Sequence, residues 1–158
     1  ITMAEGGNLH LPNLKTRPLD FDFATRDRFL AGCLVPANYV VQAQRFRSWY
    51  RREVMKVFQD VDVILAPATP VTAPKIGQVM MELNGQNLPA RPSMGLLTQP
   101  ISFIGLPVVA APIVRPGELP LGVQVIAAPW REDHALRVAW ALEEAGVAAA
   151  PVAAGARA

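Results

Sequence analysis

Only one cysteine, two histidines, three serines and three lysines stand among these 158 residues, few of the side chains that supply nucleophiles, bases and soft metal ligands. The lone Cys33 excludes an internal disulfide and suits a reducing compartment, so a cytoplasmic setting is expected, with Cys33 itself read as a core residue. His10 and His134 stand far apart with no cysteine or acid at ligand spacing, which argues against a metal site; His134 reads as helix decoration. No Walker loop and no dinucleotide glycine fingerprint is present, and no cofactor is expected. Ser48, Ser93 and Ser102 lie outside any Gly-x-Ser-x-Gly elbow, and Lys15, Lys56 and Lys75 lack the apolar setting that activates an amine. Taken alone, the chain holds no catalytic centre.

Charge of one sign is also scarce. Fifteen basic residues face 13 acidic ones, for a net charge of +2, so no block exists to draw nucleic acid or an anionic membrane. The opening residues show no basic-then-apolar leader. The chain starts at Ile1 rather than Met, and we expect a portion of a longer polypeptide. Apolar residues make up 51%, enough for a buried core in a chain the size of one ordinary domain.

The longest stretch without charge, "PSMGLLTQPISFIGLPVVAAPIV", runs from Pro92 to Val114. Its length suits a bilayer. Its composition does not, because Pro100, Pro107 and Pro112 would each break a helix that must satisfy its own backbone in lipid. Gly95 and Gly105 weaken it further. The run divides better into a helix from about Ser93 to Ile104, a stop at Gly105-Leu106-Pro107 and a strand "VVAAPIV", buried on nearly every side.

The other elements follow from pattern. Glu5 to Pro18, with Gly-Gly and two prolines, reads as an irregular arm. "TRDRFLAG" reads as a short helix capped by Thr25 and closed by Gly32. From about Pro36 a long helix carries Tyr39, Ala43, Phe46, Tyr50, Val54 and Val57 as one apolar stripe. Arg45, Arg47, Arg51, Arg52 and Lys56 mostly face other ways, as a solvated face or as a second docking surface. Val61 to Ala66 reads as a strand buried on both faces. Lys75 to Pro92 is a surface excursion with a turn at Asn84-Gly85. Leu121 to Pro129 is a strand expected to pair antiparallel with "VVAAPIV". The last helix buries Ala135, Val138, Ala139 and Leu142, places Glu132 and Asp133 in its first turn and ends at Gly146. Pro151 to Ala158 reads as a frayed tail.

In order along the chain, "DVILAPATP" (Asp62 to Pro70), "TQPISFIGLP" (Thr98 to Pro107) and "LPLGVQ" (Leu119 to Gln124) resemble the C-terminal motifs of the amidase signature family. "EGGNLHLP", "RDRFLAG" and "AQRFRSWYRR" resemble the carboxybiuret hydrolase branch. The resemblance implies an α/β fold, with residues 1–150 the C-terminal portion of an amidase signature domain and a mixed sheet covered by helices. It implies hydrolysis of a C–N amide bond in a small linear substrate. The Ser-cisSer-Lys triad and its Gly/Ser-rich signature have no counterpart in these residues, so the nucleophile is expected in a preceding part of the protein. A small helical accessory subunit is a further expectation from the resemblance.

Substrate contacts are carried over residue by residue. In the tRNA amidotransferase relatives an arginine ahead of a glycine binds the substrate carboxylate; the matching position is Arg28, ahead of Gly32. A guanidinium grips a carboxylate with two parallel bonds, although an ordinary surface ion pair remains the alternative. Those relatives hold the substrate's ammonium with an aspartate where this chain has Gly95. The departure favours a substrate with a carboxylate and no ammonium, such as carboxybiuret. Thr98 and Gln99 are the polar groups of the uncharged run, either lining a pocket or satisfying the backbone at a helix start. Gln124, mid-strand, reads as structural. Two other readings stand beside the enzyme: a non-catalytic scaffold whose uncovered strand edge makes it dimeric, and an amidotransferase-like subunit.

Overall fold

The computed structural model describes residues 1–150. The tail expected over Pro151 to Ala158 lies outside them. The chain forms two compact units, Ile1–Arg51 and Arg52–Ala158, each with its own internal packing.

The first unit corrects the expected irregular arm. Thr2–Thr16 is a helix (α1), followed by a single 3-10 turn at Pro18–Asp20 and a second helix, α2, at Phe23–Cys33. Local propensity opposes α1, since each glycine costs about 1 kcal/mol against alanine in a helix interior. Packing against α2 overrides that cost. A side chain on Gly6 would run into the Phe29 ring, and one on Gly7 would meet the Phe29 carbonyl oxygen at 2.5 Å. From the other side, Gly32 lies against the Met3 carbonyl. Three glycines thus let two helices cross closely, and Leu14, further along α1, is buried. His10 stacks on Phe29 with ring centres 5.3 Å apart, and Phe21 meets both rings edge-on.

Two details of α2 differ from expectation for the same reason. Gly32 lies inside the helix as a crossing point instead of ending it. The cap is Asp22, whose Oδ1 accepts from the Thr25 backbone N–H at 3.2 Å, so Thr25 sits one turn in. Cys33 is exposed, not core. As the last residue of α2 it sits at the rim of the crossing, with its sulfur against Gly7.

The long helix α3 spans Ala37–Val57 as expected. Along it, Phe46 stacks on Tyr50 and meets Trp49 at a tilt of 38°. None of its residues is fully buried. Arg45, Arg47, Arg52 and Lys56 are exposed, and Lys56 pairs with Glu53 at 2.7 Å.

The second unit is built on a three-stranded antiparallel sheet, ordered β1-β5-β4, from Val63–Pro67 (β1), Val108–Ile113 (β4) and Leu121–Ala127 (β5). Between β1 and β4, Met80–Leu83 (β2) and Gln86–Pro89 (β3) form a separate hairpin. Asn84 and Gly85 take φ of 51° and 74°, the left-handed pair a two-residue hairpin turn needs. The strand pairings among the described residues are all antiparallel, β4 with β5 included.

β5 is the buried strand: Gln124 to Ala127 are all inaccessible. β1, expected to be covered on both faces, is an edge strand with Leu65 56% exposed. One face of the sheet is closed by the last helix, α6 (Glu132–Glu144). Val125, Ala127 and Ala135 form its core, with Val63, Val109, Val138 and Leu142 packed around them. Ala139 is half-buried on the same helix. Gly146, at φ 69°, turns the chain back so that Val147 to Ala149 bond the Pro112–Val114 edge of β4.

The uncharged run is not one helix. It holds α4 (Ala90–Ser93, which begins just before it), a turn, α5 (Gln99–Ile104) and β4. The expected continuous helix from Ser93 breaks because Pro100 starts a new one, occupying a first-turn position where its missing N–H is not needed. Gly105 ends α5 in the left-handed conformation, as anticipated. No described helix is long and apolar enough to cross a membrane. Burial on nearly every side is also corrected: Ile104, Leu106 and Ala111 are buried, whereas Leu96, Leu97, Val108 and Val114 stay exposed.

Candidate functional site

Residues 95–99 form a knot around one carbonyl. The Gly95 oxygen accepts from the backbone N–H of Thr98 at 3.2 Å, from that of Gln99 at 2.9 Å and from the Thr98 hydroxyl at 3.3 Å. The structure therefore brings Gly95, Thr98 and Gln99 together, and spends the hydroxyl proton of Thr98 on the backbone at the start of α5. The Gln99 side chain lies over Gly95: a Cβ there would meet Gln99 Nε2 at 2.8 Å. Thr98 is half-buried and Gln99 exposed, which leaves the Gln99 amide the accessible polar group of this turn.

The knot is anchored from beneath. Gln124, 2% exposed in the central strand, donates from Nε2 to the Pro67 carbonyl at 2.8 Å and to the Leu97 carbonyl at 3.1 Å. Alternation along β5 turns Gln124 to the face opposite Val125 and Ala127, so the 95–98 turn lies across the sheet from α6. The structural reading of Gln124 holds, but the sequence pattern does not disclose which segments it joins. The signal was there: one amide in an otherwise apolar strand must find buried partners. Where the end of β1 runs beside the start of β5, a groove of about 450 Å³ is lined by Leu65, Pro67, Thr69, Pro70 and Val123 among others.

Arg28 belongs to the first unit. It lies on α2, exposed, and its guanidinium makes no hydrogen bond or ion pair among the described residues. Its neighbour Arg26 is engaged with Asp27 at 3.0 Å. In the same unit a groove of about 540 Å³ is lined by Asn8, Leu11, Cys33, Val40 and Val41 among others.

His134 does more than decorate α6. Its side chain is 15% exposed and lies between Asp62 and Asp133, with ring nitrogens 3.6 and 3.7 Å from their carboxylates. Arg131 grips Asp133 with two bonds, of 3.0 and 3.3 Å, and chiefly for that reason the Asp133 carboxyl titrates below its ordinary value. No group of three His, Cys, Asp or Glu side chains among the described residues is placed to hold a metal ion.

A scan against protein families matches the amidase family model over residues 11–136. The chain belongs to the amidase family. It is 52% identical over 151 residues to AtzE, the 1-carboxybiuret hydrolase subunit of Pseudomonas sp. (strain ADP), covering 94% of this chain and 33% of that protein. A solved structure described as a vestigial protein complex, bearing on the evolutionary origins of an s-triazine catabolic enzyme, superposes with a TM-score of 0.89 at 49% identity, over 96% of this chain and 34% of that one. A glutamyl-tRNA(Gln) amidotransferase subunit of Symbiobacterium thermophilum is more distant, 31% identical over 89% of this chain and 29% of its own length. The chain thus spans about a third of the length of the relatives it matches.

Proposed function

We propose that this chain is the C-terminal portion of an amidohydrolase that cleaves a C–N bond in a small, linear, carboxylated substrate of the carboxybiuret type. The observation that carries the reading is its 52% identity, over nearly the whole chain, to a 1-carboxybiuret hydrolase subunit. The nucleophile is a serine outside these residues. It adds to the substrate carbonyl, ammonia or an amine leaves as the acyl-enzyme forms, and water then releases the acid and restores the serine.

In this reading the chain supplies binding rather than chemistry. Arg28 is the carboxylate ligand: an exposed guanidinium with no partner among the described residues has its donors available for a two-pronged grip. Thr98 and Gln99 contribute polar groups to an apolar wall. Gly95 puts no charge at the position where amidotransferase relatives carry an acid for an ammonium, which favours hydrolysis of a non-amino-acid amide over the amidotransferase-like alternative. The exposed apolar residues of β1, β4 and the 95–98 turn are surfaces for the preceding part of the same protein. The proposed partners are a second copy and a small helical subunit; that a similar chain was solved as part of a protein complex supports a partner of some kind. A cytoplasmic location suits the single thiol.

Ammonia release by the complete protein, measured on carboxybiuret, biuret and simple amides, tests the proposal. Turnover ranked with carboxybiuret first is expected. Turnover of glutamine in preference to all three would replace the reading with the amidotransferase one. Absence of ammonia from every amide would leave a scaffold.

A further inference from the structure

Gln124 is a buried side chain of the central sheet that reaches two distant segments at once. Its partners lie 57 and 27 residues away in sequence: Pro67, the last residue of β1, and Leu97, in the turn before α5. Both contacts use the same nitrogen, so both amide hydrogens are committed and each points at a main-chain carbonyl. The Leu97 carbonyl belongs to the peptide that joins Leu97 to Thr98. Holding that oxygen fixes the plane of the peptide and so the direction of the Thr98 N–H. That N–H, the Thr98 hydroxyl and the Gln99 N–H all close on the Gly95 oxygen. A line of hydrogen bonds therefore runs from the buried half of the central strand to the polar groups of an apolar turn.

The turn needs such a hold. Leu96 and Leu97 are exposed, so their side chains do little to pin it. α5 is only Gln99–Ile104 long and has no side-chain cap. Local interactions alone leave so short a helix unstable.

We propose that Gln124 is a positioning residue for the substrate wall. Through the Leu97 carbonyl it sets where Thr98 and Gln99 stand, and through the Pro67 carbonyl it ties that turn to the "PATP" segment leaving β1. The inference rests on the reading of Thr98 and Gln99 as substrate contacts.

The test is Gln124→Met in the complete enzyme, a substitution that keeps the shape of the side chain and removes both donors. Amide exchange at Thr98 and Gln99 is expected to quicken about tenfold, while Val125 and Ile126 keep their protection. KM for the carboxylated amide is expected to rise about tenfold with kcat unchanged, the signature of lost binding. Unaltered exchange at Thr98 and Gln99 would overturn the proposal. So would faster exchange with unchanged KM, provided Thr98→Val raises KM, because Gln124 would then be structural only. If Thr98→Val and Gln99→Ala both leave KM unchanged, the fault lies in the substrate-wall reading, and this inference falls with it. Should Gln124→Met fail to fold, Gln124→Glu preserves size, and only its protonated form can donate, to one carbonyl. Its KM should approach that of the parent as pH falls, and a pH profile parallel to the parent's would overturn the proposal.

Discussion

Gly32 of α2 sits so close to the Met3 carbonyl of α1 that a methyl group at position 32 would overlap it. The obstacle is backbone, which has no rotamer to turn aside. Gly32→Ala must therefore push the two helices apart, at a cost of about 1–3 kcal/mol. Gly77→Ala is the comparison. Gly77 has φ of 81° and nothing within 4 Å of a new Cβ, so it meets backbone strain alone, about 1 kcal/mol. Urea midpoints of the two variants decide the matter. Equal losses would mean that helix crossing is not what Gly32 serves.

Neighbouring positions on α6 should respond in opposite ways. Ala135 is 1% exposed against Val125 and Ala127, whereas Leu136 is 59% exposed. Ala135→Leu should overpack the sheet face and cost about 1–3 kcal/mol. Leu136→Ala should stay within about 0.5 kcal/mol of the parent. Thermal denaturation of both checks the placement of α6, and the reverse order would mean that the helix is rotated.

Arg28→Ala in the complete enzyme is expected to lower kcat/KM for a carboxylated amide by about 100-fold and to spare uncarboxylated ones. Arg28→Lys should recover only part of the loss, since an ammonium cannot make the paired contact. Equal losses on both substrate types, or none, would remove Arg28 from the site.

Asp133 carries the one clear pH expectation. Arg131 holds its carboxyl below the ordinary 3.8, so the ionised form is favoured by folding. That contribution is present above 3.8 and disappears as pH falls through the lower folded value. The group is exposed, so the effect on stability is small. An NMR titration of Asp133 should show a midpoint below 3.8 that returns upward in Arg131→Gln. A midpoint indifferent to that substitution would assign the shift to the start of α6 instead.

Much of the fold was legible in residues whose local preference and final environment agree. The period of α3 and α6, the Asn84-Gly85 turn, the Gly105 stop and the β4–β5 pairing all depend on near neighbours in sequence. The family could be read from three proline-bearing motifs, two of them with a glycine. The candidate contacts were only partly legible. Gly95, Thr98 and Gln99 adjoin in sequence and meet through one carbonyl, but the link from that turn to Gln124 spans 27 residues, and the strand pattern shows only that the amide needs partners, not which ones.

The sequence by itself determined the amidase kinship, the alternation of helix and strand and the unsuitability of Pro92 to Val114 for a membrane, because these follow from backbone chemistry and residue order. Tertiary structure alone decided the rest. It made a helix of Thr2–Thr16 against its glycines, because a second helix needed them bare. It put β5 rather than β1 at the centre of the sheet, since which apolar strand is covered depends on its neighbours and not on its own hydrophobicity. It gave Gln124 two carbonyl partners because a buried amide takes whatever the fold brings within reach.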